Sequence, residues 1–204
     1  MQIIECKDEI AWVEAANDWL LNATQRNSAK RLFIPAGDTP LPLYRSWQGD
    51  HSQVQNALKQ LKLVQLDEIL NQNSPFRRFF EIHLSKYVSQ IEFIDGAEGG
   101  ADIALLGIGL NGHVAFHEPG VRPGFYSGCL KLTHETAQRL KIKEPALGLS
   151  YGVAAFLRAR EICLLVRGES KRAILKEAMR PNSELPAAMV LRHANVSVIT
   201  DFKI

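Results

Sequence analysis

Cysteine is scarce in this chain, and what there is does not cluster. Cys6, Cys129 and Cys163 form no CxxC pair and no zinc-ligand spacing, so neither a disulfide framework nor a zinc module is expected. An odd, scattered set of thiols suits a reducing compartment. Long hydrophobic runs are missing as well: no stretch approaches the roughly 20 apolar residues that cross a bilayer. The opening residues, MQIIECKDEI, carry charges where a secretory signal needs an apolar segment. A cytoplasmic protein with no membrane partner is expected. Neither sign of charge is in excess. The formal net charge of +2 decides nothing about nucleic acid by itself, and no long basic run supplies a footprint for it. A small molecule, not nucleic acid, is the expected partner. There is no repeat, low-complexity tract or evident linker.

What is present is ordinary for one α/β domain spanning 1–204: 46% hydrophobic and 23% charged residues. Apolar runs bounded by turn residues predict strands at 3–4, 31–35, 61–66, 91–94, 129–132, 161–166 and 195–200. Helical spacing predicts helices at 9–21, with Asn22 as its end, and at 41–47, 76–87, 149–157, 170–179 and 185–190. Strands alternating with helices imply a doubly wound, mostly parallel sheet with helices on both faces and right-handed crossovers. Ligands of such sheets collect at the strand C-termini.

The stretch 102–120, DIALLGIGLNGHVAFHEPG, concentrates the chemistry. A buried strand is expected at 103–106. Gly107, Gly109 and Gly112 then allow a sharp turn and close approach of a ligand. His113, His117 and Glu118 follow directly. Gly107-x-Gly109-x-x-Gly112 matches a dinucleotide fingerprint literally, but that fingerprint needs a long helix from the third glycine, and Pro119-Gly120 comes too soon. Three other sets fall at predicted strand ends or helix starts. Asp67-Glu68 pairs two carboxylates, a candidate general base and its neighbour or a helix cap. Gly37-Asp38-Thr39 precedes a helix, with Thr39 as candidate N-cap and Pro40 at the first position, which makes an anion site. Lys171 lies in a first helical turn, against the dipole unless an anion is held there.

Together these segments resemble the glucosamine-6-phosphate deaminase (isomerase) family, whose fold is shared with 6-phosphogluconolactonases. Gly107-x-Gly109-x-Asn111-Gly112-His113-Val-Ala-Phe-His117-Glu118-Pro119 is similar to the family's GxG-x-(D/N)-GHIAFNEP signature. Leu66-Asp67-Glu68 resembles its MDEY segment, residues 35–40 its phosphate loop, residues 152–166 its GVGTLLDAEEVMILV region and Gly168-x-x-Lys171 its G-x-x-K. The lactonases typically continue after GHxA with Ser-Leu-Phe-Pro, whereas Phe116-His117-Glu118-Pro119 keeps the deaminase glutamate.

The resemblance implies release of ammonia from an amino-sugar 6-phosphate to give a ketose 6-phosphate, with no metal and no organic cofactor. Asp67 would move a proton between C2 and C1. His113 would assist ring opening, with Glu118 paired to it and Asn111 steadying it on the other flank. The N–H groups of residues 37–39, the Thr39 hydroxyl and Lys171 would clamp the phosphate, and Arg139, Lys141 and Lys143 are candidates for the family's lid arginine. Asp38, Asn111, His117 and Ile69 depart from the usual residues. The chain is shorter than typical relatives around 121–148 and at its C-terminus, so a monomer or small oligomer is expected. A lactonase of the same fold and a non-catalytic sugar-phosphate sensor are the alternatives.

Overall fold

The computed structural model describes residues 1–49, 52–94, 99–143 and 145–204. The expected loop at 95–100 falls largely outside them. In chain order the elements are β1 (Gln2–Glu5), α1 (Glu9–Asn27), β2 (Arg31–Ile34), α2 (Leu41–Gln48), α3 (Ser52–Leu58), β3 (Lys62–Gln65) and β4 (Asp67–Ile69). There follow α4 (Pro75–His83), β5 (Ile91–Glu92), β6 (Ile103–Gly107), β7 (Ser127–Lys131), α5 (His134–Arg139) and β8 (Leu147–Tyr151). The chain ends with α6 (Val153–Phe156), β9 (Glu161–Val166), α7 (Arg172–Ala178), α8 (Pro186–Leu191) and β10 (Val196–Thr200).

Seven strands form one sheet in the order β1-β10-β9-β6-β2-β3-β5, parallel at every pairing. Its central strands, such as β6 and β9, are nearly continuous apolar runs because both their faces are covered, whereas the edge strand β1 is largely exposed. The two-residue period sends Leu32, Ile34, Leu63, Ile103, Leu105 and Leu165 into one core with Trp12, Trp19, Tyr44 and Trp47 of α1 and α2. Phe33, Val64, Ala104, Leu106, Leu164 and Val198 enter the other core, with Phe156, Leu175 and Val190 of α6, α7 and α8. Each fully buried Leu, Ile, Val or Phe among them contributes about 1.5–3 kcal/mol.

From β2 the chain steps outward through β3 to β5. It then returns to β6 on the other side of β2 and steps outward through β9 to β10. The order reverses between β2 and β6, which opens a crevice at their C-terminal ends. A small antiparallel sheet, β4-β8-β7, stands beside that crevice over a satellite core of Ile69, Phe116, Leu132, Ala137 and Ala146.

Four expectations are corrected. The first helix does not end at Asn22 but continues to Asn27, where Ser28 adopts a left-handed φ of 46° and closes it. Asn22 is exposed while Ala23 is buried, so the apolar stripe carries the helix onward. The expected helix at 149–157 is β8, a turn at Gly152 and the short α6. Residues 147–151 pair on both sides, with β4 and β7, and those pairings override the local apolar run. The helix expected over 76–87 stops at His83 and continues as a 3₁₀ segment. Asp67 and Glu68, expected at the C-terminal end of the strand over 61–66, form a separate strand of the small sheet.

Candidate active site

A cavity of about 440 Å³ occupies the crevice. The loop after β2, Leu66 and Asp67, Gly107 to Gly109 after β6, His113, Arg139 and Lys171 line it, with Phe76, Ala115 and Phe116 as its apolar walls. Ala115 holds a left-handed φ of 52°, unusual for a residue with a side chain.

The loop after β2 turns at Gly37, whose φ of +101° excludes other residues and whose missing side chain leaves open space. The N–H groups of Gly37, Asp38 and Thr39 find no acceptor among the described residues. Thr39 is not the N-cap: α2 begins one residue later, behind Pro40, with no side-chain cap. Tyr44 N–H donates to the Pro40 carbonyl at 2.9 Å, and Leu41 N–H to that of Asp38 at 3.3 Å. The Thr39 side chain therefore stays free of capping, and Asp38 is exposed at the rim.

After β6 the backbone makes room for an imidazole. A Cβ at Gly109 would lie 2.2 Å from Cε1 of His113, so only glycine lets the ring lie there. The Asn111 side-chain oxygen accepts from His113 N–H at 3.2 Å, and its Nδ2 donates to Glu118 Oε2 at 2.8 Å. Asn111 thus holds the histidine backbone and the glutamate, not the far side of the ring. His113 Nδ1 lies 3.5 Å from Glu118 Oε2. Thr133 (3.3 Å) and Thr136 donate to Glu118 Oε1, and the Thr133 oxygen also caps α5. Burial opposes ionisation of Glu118, but the nearby His113 imidazole and the bonds from Thr136 and Asn111 outweigh it and hold the carboxyl at about 2. Beyond the ring, Arg139 Nη2 lies 3.2 Å from His113 Nε2.

Asp67 and Glu68 are neighbours on β4 and serve opposite faces. Asp67 is 7% exposed, lines the cavity and has no side-chain partner among the described residues. Burial, then the adjacent Glu68 charge, raises its carboxyl to about 8. Glu68 turns away from the cavity. It accepts from Ile69 N–H (2.9 Å), Phe76 N–H (3.1 Å), Arg77 N–H (2.7 Å) and Gln65 Nε2 (3.1 Å). It caps α4, whose own cap residue Ser74 makes no side-chain bond. Lys171 donates from Nζ to the Ile108 carbonyl at 2.8 Å. Burial, then the nearby Arg139 charge, lowers its ammonium to about 8.

Residues 80–199 match the family described as glucosamine-6-phosphate isomerases/6-phosphogluconolactonase. The chain belongs to that family. A glucosamine-6-phosphate deaminase of Lactobacillus delbrueckii subsp. bulgaricus is 30% identical, the alignment covering 98% of this chain and 97% of that protein. It runs over 231 positions, more than the 204 residues here, so the relative carries insertions this chain lacks. Glucosamine-6-phosphate deaminase 2 of Giardia intestinalis is also 30% identical, over 83% of this chain and 78% of its own. Among solved structures, a monomeric glucosamine-6-phosphate deaminase superposes with a TM-score of 0.83 at 22% identity, covering 98% of this chain and 97% of that one. The 6-phosphogluconolactonase of Trypanosoma brucei gives 0.76 at 14%, covering 98% and 95%.

In this family member Gly37, Asp38, Thr39, Asp67, Gly107, Gly109, His113 and Lys171 share one cavity wall. Asn111, Glu118 and Glu68 stand behind it. Gly112 has a φ of +83° and packs against Leu185, with its carbonyl accepting from Ala187 N–H at 3.0 Å. Of the three candidate lid cations, Arg139 reaches the cavity. Lys141 and Lys143 do not line it. His117 is structural. Its Nδ1 accepts from Val153 N–H at 3.1 Å and its Nε2–H donates to the Val121 carbonyl at 3.2 Å, which fixes a neutral tautomer. Burial lowers its pKa accordingly. Sequence reasoning missed Arg167, which also lines the cavity and pairs with Glu9 and Asp201. Its position just before Gly168-x-x-Lys171 was the available signal.

Proposed function

We propose that the chain is an amino-sugar-6-phosphate deaminase. It converts glucosamine 6-phosphate or galactosamine 6-phosphate, with water, into the ketose 6-phosphate and ammonia. The observation that carries this reading is Glu118, held as a carboxylate behind His113 in a cavity that also contains Asp67. The deaminases that are 30% identical support it over a lactonase.

The phosphate lies against the N–H groups of residues 37–39, with the Thr39 hydroxyl, Lys171 and Arg139 completing the clamp. Asp38 sits on the solvent side of that loop. His113 Nε2 takes the proton of the O1 hydroxyl and passes it to the ring oxygen as the ring opens, and Glu118 balances the imidazolium charge that forms in between. Asp67 then takes the proton from C2. The C2–H electron pair forms the C1–C2 double bond, and the carbonyl oxygen takes the proton that the substrate ammonium gives up, which leaves a neutral enol-amine. Asp67 returns its proton to C1, which leaves an iminium at C2. Water hydrolyses it to the ketone and ammonium. His113 and Asp67 carry the other proton transfers before hydrolysis, and no step calls on a cofactor.

We read residues 1–204 as one domain, because the site draws on strand ends from both halves of the chain. Free thiols at Cys6, Cys129 and Cys163 support a reducing cytoplasm. Among the described residues no helix is long and apolar enough to cross a membrane. A monomer or small homo-oligomer fits a chain that lacks insertions present in its relative.

The test is ammonia release from glucosamine 6-phosphate and galactosamine 6-phosphate by wild type and Asp67→Asn. Release that falls by about 10³-fold or more in the variant is expected. No release from either sugar, together with hydrolysis of 6-phosphogluconolactone, would replace the deaminase reading with the lactonase one.

A further inference from the structure

Arg139 already has a partner, and it is the histidine of the proposed reaction. A guanidinium can only donate, so at 3.2 Å His113 Nε2 must accept from it. The ring proton then sits on Nδ1, toward Glu118. Nδ1 is buried, which leaves Nε2 as the nitrogen that can serve a ligand in the cavity. Its lone pair is engaged as long as Arg139 stays there.

Two further observations concern where the arginine can go. The start of α5 is fixed to Glu118 through Thr133 and Thr136, whereas Arg139 is the exposed last residue of that helix, on a long flexible side chain. Arg139 and Lys171 also line the same cavity, and two like charges held there repel until an anion lies between them. Residues 37–39, whose N–H groups find no acceptor among the described residues, line that same space.

We infer that Arg139 is a positioning residue with two stations. On His113 Nε2 it keeps the imidazole out of proton transfer; a phosphate in the cavity draws it away and frees the ring. The substrate's phosphate therefore licenses the chemistry as well as binding. An amino sugar without phosphate meets a blocked histidine. The kinetic consequence rests on the deaminase reading, but the anion-driven release of His113 does not.

The test uses the ¹⁵N-labelled full chain. The side-chain nitrogens of His113, assigned with a His113→Asn variant, are followed while inorganic phosphate is added against chloride at equal ionic strength. In wild type the His113 Nε2 resonance moves saturably. In Arg139→Gln it starts away from the wild-type position and no longer responds, and Arg139→Lys gives a partial response. In a parallel assay, inorganic phosphate added as a separate ion raises ammonia release from unphosphorylated glucosamine by about tenfold or more in wild type. It has no such effect in Arg139→Gln.

Phosphate that shifts the backbone amides of residues 37–39 while His113 Nε2 stays put overturns the two-station proposal and leaves the deaminase reading intact. Amides and histidine that both ignore phosphate overturn it as well. A His113 response without ammonia release from any amino-sugar phosphate would leave the arginine switch standing and remove the deaminase.

Discussion

Asp67 and Lys171 face one cavity with opposite electrostatic difficulties. Burial and the Glu68 charge hold the Asp67 carboxyl at about 8, and burial and the Arg139 charge bring the Lys171 ammonium down to about 8. A base must be ionised and a phosphate ligand must be charged. Below pH 8, kcat/KM should rise about tenfold per unit as Asp67 loses its proton, and above pH 8 it should fall as Lys171 loses its charge. A bell centred near pH 8 is expected in kcat/KM, which reports the free protein. In kcat the acid limb should lie lower, because a substrate ammonium beside Asp67 favours the carboxylate. Lys171→Arg keeps a cation at all working pH values, so its alkaline limb should disappear while the acid limb stays. A pH-independent kcat/KM between 6 and 9 would show that neither group governs the reaction.

The elements explain how two adjacent acids take unrelated tasks. On β4 successive side chains point to opposite sides, so Asp67 enters the cavity and Glu68 meets the N-terminus of α4. There the carboxylate satisfies N–H groups that the helix cannot, and it lies at the positive end of the dipole. Glu68→Gln should cost about 1–2 kcal/mol in urea unfolding, with m unchanged. It should also move the acid limb of kcat/KM to lower pH, since one of the two causes of the Asp67 shift is gone. Unchanged stability would mean that α4 needs no such cap. Much of this level was legible in the sequence. Strands such as 103–106 and 161–166 read correctly because burial on both faces makes them continuous apolar runs. Gly37, Asp67, His113 and Lys171, singled out because each lies near a strand end or helix start, line one cavity. Residues 147–151 did not read correctly, because an apolar run has no period that separates strand from buried helix. Nor did the sequence select Arg139 over Lys141 and Lys143, since that choice depends on where α5 ends above His113.

At the scale of the molecule, the site that the sheet assembles at its reversal also sets how the fold answers to pH. Glu118 is held near 2 against an ordinary value of 4.5, so its contribution is fully present above 4.5 and is lost as pH falls toward 2. Asp67 acts in the opposite sense. Its folded value of about 8 stands against 3.8, so the folded chain holds an extra proton between these limits, and stability falls as pH rises through that window. Stability should therefore peak near pH 4–5 and decline toward pH 8, where the activity is expected to be highest. Asp67→Asn removes the ionisable group and keeps the shape, so its stability should stay flat over that window. At pH 8 it should exceed wild type by about 2–5 kcal/mol, while turnover is lost. Urea unfolding of both proteins at pH 5, 6.5 and 8 measures the difference. A gap that widens with pH means that the fold holds its base in place against the base's own ionisation. A gap independent of pH would assign the buried carboxyl a structural role, and the site would then need a different base.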